Sequence, residues 1–490
     1  MSGIGALSIA IQGLNAAQQQ LQVISSNVAN ASTPGYTVKT LQQNSVVLDG
    51  SGSGVQVGGL QRSVNTALQS NLWQQTSTSG SSQVNQTYLQ QLQQLFGAPN
   101  SNTSFASDLA TVQSDFITLS ADPSNSIYQT QVVNDAQSLT SNLNNLSTSI
   151  QGLRNNSQTD ISNDLGQANQ LLQTIASLNT NISKTGNAGG DVTDLEDQRD
   201  QAIQQLSQFI NINTYTNSDG SVTVQTQNGT LLADTQAQTL DFSVTPLTAT
   251  SVYPTSASGI TVNGQDITSQ ITSGSIGGLI NLRDQSLPQA QAMIDEFSEG
   301  LATRFNAQGV TLFTDPAGDV PTDTPGDYVG FAGTIQVNPA VVNNPALLQQ
   351  GTAGGPPLAA GDNTNIQNVL NYAFGDNSNA GGTPNTPFNT TGLGANGAIS
   401  VNLPSGGDIL DYSNNVVATL AQQYTQVNSN NTYQTNYQQT LQEQMDNESG
   451  VSIDTEMTNM ISIQNAYSAS ARMITAVSQM FTDLLSAVSS

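Results

Sequence analysis

Apolar residues recur at alternating spacings of four and three positions at both ends of the chain. This spacing is typical of helices that pair as a coiled coil. At the N-terminal end the stripe comprises Ile4, Leu7, Ile11, Leu14, Leu21 and Val28. At the C-terminal end it comprises Ile453, Met457, Met460, Tyr467, Ala471, Ile474, Phe481, Leu485 and Val488. We therefore predict that residues 1–60 and 425–490 form one terminal domain in which two helices pair.

The C-terminal stripe is wider than one partner helix can cover. A second apolar strip runs beside it and comprises Ile461, Ile463, Met473, Val477, Met480 and Leu484. A two-stranded coiled coil buries only the first stripe. Each helix taken alone also fits an ordinary buried helix, but two matching helices at opposite ends favour docking on neighbouring molecules.

Helical spacing continues through much of the interior of the chain. Leucines and isoleucines in strict or loosely continued heptad positions predict one long helix: Leu139, Leu143, Leu146, Ile150, Leu153, Leu165, Ala168, Leu172, Ile175 and Ile182. The same period returns at 287–309. We predict a helical rod domain made of residues 61–211, 279–310 and 406–424.

The apolar period changes to two after Ile212. Asp219-Gly220 and Asn228-Gly229 lie between β-branched runs, which predicts successive hairpins in a small β domain of residues 212–278. Residues 311–405 hold 10 of the 16 prolines and predict a loop-rich, exposed outer insertion. The predicted fold class is therefore multidomain α+β: terminal helices paired as a coiled coil, a long-helix bundle, and inserted β-rich outer material.

A turn follows the first helix. Asn27 and Asn30 can cap or end that helix, and Pro34 forces Thr33 out of the helical region. Pro34-Gly35 fits the central positions of a type II turn, after which Tyr36 re-enters extended chain.

Composition removes most chemistry from consideration. The chain has no cysteine and no histidine, so it lacks thiol nucleophiles, serine–histidine relays, disulfides and the usual zinc ligands. We predict no catalytic residue, no metal and no cofactor. Its formal net charge of −26 makes nucleic acid and membrane surfaces poor partners. The first charged residue is Lys39, so we expect no cleaved signal peptide.

Carboxylate clusters are the remaining candidates for chemistry. A helix over 194–210, with Asp191 or Thr193 as its N-cap, carries Glu196, Asp197 and Asp200, and a later helix carries Asp295, Glu296 and Glu299. A glycosidase needs two such groups, but carboxylates crowded on one helix, with Arg199 as a neighbour, favour a solvated face. The loop with Asp315, Asp319, Asp323 and Asp327 departs from EF-hand spacing and favours a solvated acidic loop over a calcium site.

Longer stretches carry a family resemblance. "LNAAQQQLQVISSNVANASTPGYT" (residues 14–37) closely resembles the N-terminal signature of the bacterial flagellar axial proteins of rod, hook and first hook–filament junction. Three further stretches look most like the junction members, the hook-associated protein 1 family. They are "SGVSIDTEMTNMISIQNAYSASARMITAVSQMFTDLL" (449–485), "LEDQRDQAIQQLSQFINI" (195–212) and "GGLINLRDQSLPQAQAMIDEFSEGLATRFNAQG" (277–309). The resemblance does not extend to residues 311–405.

The resemblance implies a structural subunit of the bacterial flagellum. Such subunits polymerise through their terminal helices and connect the hook to the filament outside the cell. It implies as partners further copies of this chain, the hook protein, the second junction protein and an export chaperone that binds the C-terminal helix. It also implies export, unfolded, through the flagellar channel. The stripe residues and the turn from Asn27 to Tyr36 are then the expected assembly interface.

Three alternatives remain open at the level of sequence. The chain resembles other axial proteins of hook or rod type at its N-terminus, although those lack the long helical body. An Asn- and Thr-rich middle also fits a secreted adhesin that binds glycans or a host through residues 311–405. A peptidoglycan-cutting rod factor would need a convincing carboxylate pair.

Overall fold

The chain folds into two compact units, each assembled from separate stretches of sequence. The computed structural model describes residues 3–48, 51–99 and 101–489. The first, here called the terminal unit, comprises Met1–Thr78, Gln167–Thr239 and Gln434–Ser490. The second, the central unit, comprises Ser79–Gly166 and Leu240–Tyr433.

Helices dominate the first half of the chain. Helix α1 (Gly3–Asn30) is followed by a two-stranded antiparallel ribbon of β1 (Lys39–Leu48) and β2 (Ser51–Arg62). Four helices come next: α2 (Thr66–Phe96), α3 (Phe105–Ala121), α4 (Ser126–Asn187) and α5 (Thr193–Phe209). The heptad leucines and isoleucines of α4 are buried throughout, which confirms the predicted long helix of 62 residues.

Both predicted hairpins are present. Strands β3 (Asn213–Thr216), β4 (Val222–Gln225) and β5 (Leu231–Ala233) form an antiparallel sheet in the order β3-β4-β5. Asn179 of α4 donates to the carbonyl oxygens of Val222 (2.7 Å) and Asp234 (2.6 Å) and so fastens this sheet to the helix. A second sheet contains β6 (Leu240–Asp241), β7 (Thr261–Val262) and β8 (Gln265–Asp266) and belongs to the central unit. The contacts thus distribute residues 212–278 between the two units.

The second half returns to helix after a loop-rich stretch. The elements in chain order are α6 (Gly274–Asn281), a π-helical turn (Leu282–Ser286), α7 (Leu287–Ala307), β9 (Phe313–Thr314), β10 (Gln336–Val337), α8 (Pro339–Asn343), α9 (Leu347–Gln350), α10 (Thr364–Asn368), a second π-helical turn (Val369–Ala373), α11 (Ile409–Ser449) and α12 (Ile453–Ser489). The predicted multidomain α+β class with long helices and small sheets is confirmed. No helix among the described residues is long and apolar enough to cross a membrane.

The central unit has its core around α7. Phe305 of this helix meets Phe116, Phe313 and Phe374 edge to face, with ring centroids 5.1–5.8 Å apart. Phe313 and Phe374 belong to the stretch expected to be an exposed insertion, and both are buried. That expectation is wrong for these side chains. The apolar residues of the loops have no regular period, so the sequence pattern could not predict their burial.

The carboxylates of α7 are also buried, which corrects the prediction of a solvated face. Asp295, Glu296 and Glu299 are 2%, 1% and 4% exposed. Asp295 accepts hydrogen bonds from the backbone N–H groups of Gly330 (2.8 Å) and Ala332 (3.0 Å). The loop N–H groups thereby receive the partners that buried polar groups require.

Burial changes the protonation of these groups. It raises the pKa of Asp295 to about 7 and that of Glu299 to about 8, the latter with help from the nearby charges of Asp323 and Glu296. A carboxyl group with a raised pKa in the folded state binds its proton more tightly there than in the unfolded chain. Its stabilising contribution is therefore complete below about pH 4.5 and is lost as the pH rises towards 8.

Glu299→Gln removes this dependence at one position. We expect the free energy of unfolding of the central unit to fall less between pH 5 and pH 8.5 in the variant than in the unaltered chain, by roughly 2–4 kcal/mol. Urea unfolding followed by pulsed hydrogen exchange of α7 peptides measures this. Glu443→Gln, at an exposed position, should leave the pH dependence unchanged; an equal effect of the two variants would contradict the assignment.

Candidate assembly interface of the terminal helices

Helices α1 and α12 pack along each other within the terminal unit. A Cβ atom built on Gly13 would lie 3.3 Å from Ser470 Oγ, and Asn27 bonds Glu456 across the pair. The residue number rises by 14 along α1 while it falls by 14 along α12. The two helices therefore run antiparallel, with the start of the chain beside its end.

Small side chains of α1 form most of its side of this contact. The buried residues of α1 are Ala10, Ala16, Ala17, Ile24 and Asn27. Small residues let two helix backbones approach closely. The larger residues of the predicted stripe lie on the neighbouring face and are partly or fully exposed: Leu7, Ile11, Leu14, Leu21 and Val28. The side chain of Ile4 lies outside the described part of the chain.

Helix α12 buries little of its surface. Glu456 and Val477 are its buried residues among those described, and Met460, Ile463, Tyr467, Ala471 and Ile474 are half-buried along the same seam. The rest of the predicted apolar surface faces solvent: Ile453, Met457, Ile461, Met473, Met480, Phe481, Leu484 and Leu485. The side chain of Val488 is not among those described. The structure thus brings α1 and α12 side by side with the predicted α1 stripe beside the seam rather than in it, and the contact of the stripes with other copies stays a prediction.

Asn27 connects four parts of the terminal unit through one side chain. Its amide nitrogen donates to the carbonyl oxygen of Lys39 (2.9 Å) and to Oε2 of Glu456 (3.1 Å). Its amide oxygen accepts from the hydroxyl of Tyr36 (3.0 Å) and from the backbone N–H of Lys39 (3.2 Å). The side chain is 1% exposed and uses its full donor and acceptor capacity. Helix α1, the turn, strand β1 and helix α12 are joined at this point.

The turn after α1 has the predicted geometry. The backbone N–H of Tyr36 donates to the carbonyl oxygen of Thr33 (3.2 Å), and Gly35 has a φ of 77°. A type II turn requires this positive φ at its third residue, where glycine meets no steric cost. Asn30 ends α1 as predicted, and its side chain donates to the carbonyl oxygen of Ser26 (3.0 Å).

The carboxylates in the first turns of α5 form ion pairs with the two ends of the ribbon instead of facing solvent. Arg62 lies 2.9 Å from Glu196, 2.8 Å from Asp197 and 2.9 Å from Asp200. Burial lowers the pKa of its guanidinium, but the three carboxylates outweigh burial and hold the pKa above its usual value. The prediction of a solvated face is wrong here, because the cations that bind this face come from a distant part of the sequence.

Strand β1 is fastened to the same helix. The hydroxyl of Thr37 donates to Asp197 (2.7 Å), and the ammonium group of Lys39 pairs with Asp194 and lies 3.8 Å from Asp197. Lys39 also lies over the ring of Tyr36, 4.4 Å from its centroid. The carboxylates that a glycosidase would need are therefore committed to holding the ribbon.

The structure adds residues that sequence reasoning did not select. Lys39, Arg62 and Glu456 are structural partners of the turn and of α5. One signal was available, since the chain contains only 8 lysines and arginines against 34 acidic residues. A rare cation next to a turn or at the end of a strand is a strong candidate for a buried pair.

The acidic loop of residues 315–327 is held by its own backbone. Asp315 accepts from the backbone N–H groups of Ala317 (2.9 Å) and Asp319 (2.8 Å), and Asp327 accepts from the hydroxyl of Thr322. Over the described residues, no group of three or more acidic side chains is arranged so that it could hold a metal ion.

Asn27→Ala leaves three buried partners without a hydrogen bond: the Lys39 N–H and carbonyl groups and the Glu456 carboxylate. We expect the terminal unit to lose about 2–4 kcal/mol of stability. Urea unfolding followed by fluorescence of Trp73, which lies in this unit, gives the value. Asn30→Ala, one turn later, should cost under about 1 kcal/mol. Similar losses for the two variants would show that Asn27 has no special role.

Three family models match the chain. A model described as the helical domain of the flagellar hook-associated protein FlgK matches residues 89–319. A model of the C-terminal region of flagellar basal body rod proteins matches residues 442–487, and a model of the flagella basal body rod protein matches residues 7–37. The matches at the two ends cover most of α1 and α12, and that of the helical domain covers α3, α4, α5 and α7.

Curated relatives carry the name flagellar hook-associated protein 1. The protein of Salmonella typhimurium is 28% identical over 61% of this chain and 55% of its own length, and that of Escherichia coli is 29% identical over 64% and 58%. The chain thus matches just over half the length of these two relatives. The protein of Bacillus subtilis is 26% identical over 96% of this chain and 95% of its own length.

One solved structure, a flagellar hook junction protein FlgK from Burkholderia pseudomallei, is 23% identical with a TM-score of 0.43 over 51% of this chain and 45% of that one. The matched helical domain, the rod-type segments at both ends and the relatives, one of them aligned along nearly its whole length, agree with one another. The chain is similar to flagellar hook-associated protein 1 over its helical domain and at both ends.

Proposed function

We propose that this chain is a structural subunit of the flagellum that polymerises through α1 and α12 and connects the hook to the filament. The observation that carries the proposal is the apolar surface of α12. Met480, Leu484 and Leu485 are 65%, 63% and 68% exposed, and Ile453, Ile461 and Met473 are each more than half exposed. A contiguous exposed apolar surface of this kind marks a protein contact.

The charge distribution supports copies of the same chain as the main partner. Residues 3–38 of the α1 region carry no charged side chain, and α12 carries four, of which Glu456 is buried. Two molecules with a formal net charge of −26 repel each other. They can approach most easily where charges are sparse, which is along these two helices.

The relatives support the position in the flagellum. Their name places them with the hook, and the rod-type models match the two segments that form the α1/α12 pair. We propose that this pair docks on the hook protein on one side and on the second junction protein on the other. The long helical body distinguishes the chain from hook and rod subunits. These were the alternatives that the N-terminal resemblance left open.

Further partners and the route outward belong to the same proposal. An export chaperone covers α12 before export, because its apolar surface would otherwise drive aggregation. The chain leaves the cell through the flagellar export channel without cleavage of a signal peptide. Mass spectrometry of the N-terminus in isolated flagella tests whether the chain is exported without cleavage. The proposed role is mechanical and needs no catalysis, and the carboxylates of α5 and α7 are engaged in structural contacts.

Met480→Gln combined with Leu484→Gln tests the interface. Both positions are exposed in the isolated chain, so we expect the stability of the monomer to change by less than about 0.5 kcal/mol. Incorporation into flagella should fall at least tenfold, measured as the amount of chain in isolated flagella relative to the amount exported into the medium.

The matched control replaces two exposed apolar residues of the central unit, Ile127→Gln with Val244→Gln, at 75% and 51% exposure. This control should be incorporated normally. Normal incorporation of the α12 variant would refute polymerisation through this surface, and equal loss in both variants would show a general effect of surface polarity.

A further inference from the structure

A groove in the terminal unit is lined by side-chain amides. It has a volume of ≈ 690 Å³, which lies in the range of specific binding sites. The turn after α1 forms one wall, and Trp73 and Met445 contribute apolar surface. Six glutamines line the remainder: Gln69, Gln201, Gln204, Gln205, Gln208 and Gln442.

Few charged groups line the groove. Arg62 and Asp200 lie 2.9 Å apart as an ion pair, and the carboxylate of Asp446 accepts from Gln442 (2.8 Å). Amides outnumber charges in the lining, so hydrogen bonds and shape dominate what the groove can recognise.

Three of the glutamines form a row of free amides. Gln201, Gln205 and Gln208 follow one another at spacings of four and three on α5, and their side chains have no hydrogen-bond partner among the described residues. Neighbours at this spacing lie about 5–6 Å apart on a helix surface. The free N–H and C=O groups on the edge of a β-strand repeat about every 6.6 Å, two residues apart. A row of side-chain amides thus suits the open edge of a strand.

The β1–β2 ribbon packs against α1 and has two strand edges. Among its described side chains from residue 40 to residue 61, none is buried. A two-stranded ribbon is marginally stable unless another surface covers it. Exposed edges usually carry lysine or proline against unwanted pairing, whereas the stretch between Lys39 and Arg62 contains neither and has Asp49 as its one charged residue.

Two glycines of β2 point to a close neighbour. A Cβ atom built on Gly52 or Gly59 would meet nothing within 4 Å, and neither residue has the positive φ that Gly54 shows at 127°. Glycine inside a strand is less stable than alanine by roughly 0.5–1 kcal/mol. Within one copy the space beside these two residues is open, and close approach of another backbone is a recognised reason for glycine in a strand.

We propose that the β1–β2 ribbon of one copy docks with an open edge in the amide groove of the next copy. The ribbon begins and ends at the groove, since Thr37 and Arg62 line it, and ten residues of β1 extend roughly 33 Å away. The distal half therefore cannot reach its own groove without folding back. Contact between two different surfaces of identical chains is head-to-tail, and such contacts generate closed rings or open helical polymers. The inference rests on the proposed polymerisation and adds a second contact to it.

The absence of cysteine permits a direct test. Val47, 61% exposed in the distal half of the ribbon, and Gln205 in the groove are both replaced by cysteine. Mild oxidation of isolated flagella should give a ladder of disulfide-linked multimers on non-reducing gels. Val47→Cys with Gln444→Cys, an exposed position outside the groove, should give at least tenfold less.

Four results would contradict one of the two proposals. Equal ladders in both pairs, or a cross-link within single chains, would overturn the ribbon contact. So would the absence of a ladder in flagella that contain the variant, and in that case the junction role would stand. Absence of the unaltered chain from flagella would instead refute the proposed function.

A second variant needs no cross-link. Gln205→Glu with Gln208→Glu places two charges in the row of amides at exposed helix positions. Incorporation into flagella should fall at least tenfold, with the Trp73 unfolding transition unchanged. Gln439→Glu with Gln444→Glu adds the same charge to exposed positions of α11 and should be incorporated normally. Equal incorporation of the two variants contradicts the proposal.

Discussion

The terminal unit depends on the burial of one asparagine. Asn27 is the point at which α1, the following turn, strand β1 and α12 share a set of hydrogen bonds, and two of its partners belong to Lys39, which is itself fastened to α5. A buried amide holds each partner in one geometry because a misplaced donor or acceptor is costly. The small residues of α1 supply close packing but little direction. Asn27 therefore sets the register between segments that lie 429 residues apart in sequence.

The scarcity of positive charge shapes the rest of this unit. Lys39 and Arg62 mark the two ends of the ribbon, and both bind the same acidic helix, so two of the chain's 8 cations fix where the ribbon begins. Asp197 takes part in both attachments and also accepts from Thr37. The remaining ribbon is uncharged apart from Asp49. Strong interactions are concentrated at its base, and its distal part is left to weaker contacts.

The elements that local pattern determines could be predicted from the sequence. The heptad of α4, the hairpins at Asp219-Gly220 and Asn228-Gly229, and the turn at Pro34-Gly35 all have a period or a residue type that dictates their geometry. Contacts between distant segments could not be predicted. Glu196 and Asp295 resemble surface carboxylates in their own helices, and only the fold shows that Arg62 and the Gly330 backbone meet them.

The candidate interface divides along the same line. Periodicity located the apolar stripes. It could not show which face of each helix packs in the α1/α12 seam. The α1/α12 seam takes the small residues of α1, one position away from the predicted stripe, and leaves larger ones such as Ile11 available. An internal contact made by alanines and an outer surface made by isoleucine, leucine and methionine is an economical division for the proposed role, in which the chain folds and then assembles with other copies. The internal seam needs close backbone approach and fixed register, which small residues and Asn27 provide. The outer surface needs area to be covered by other molecules, and large apolar side chains contribute the most free energy per residue when they are buried there.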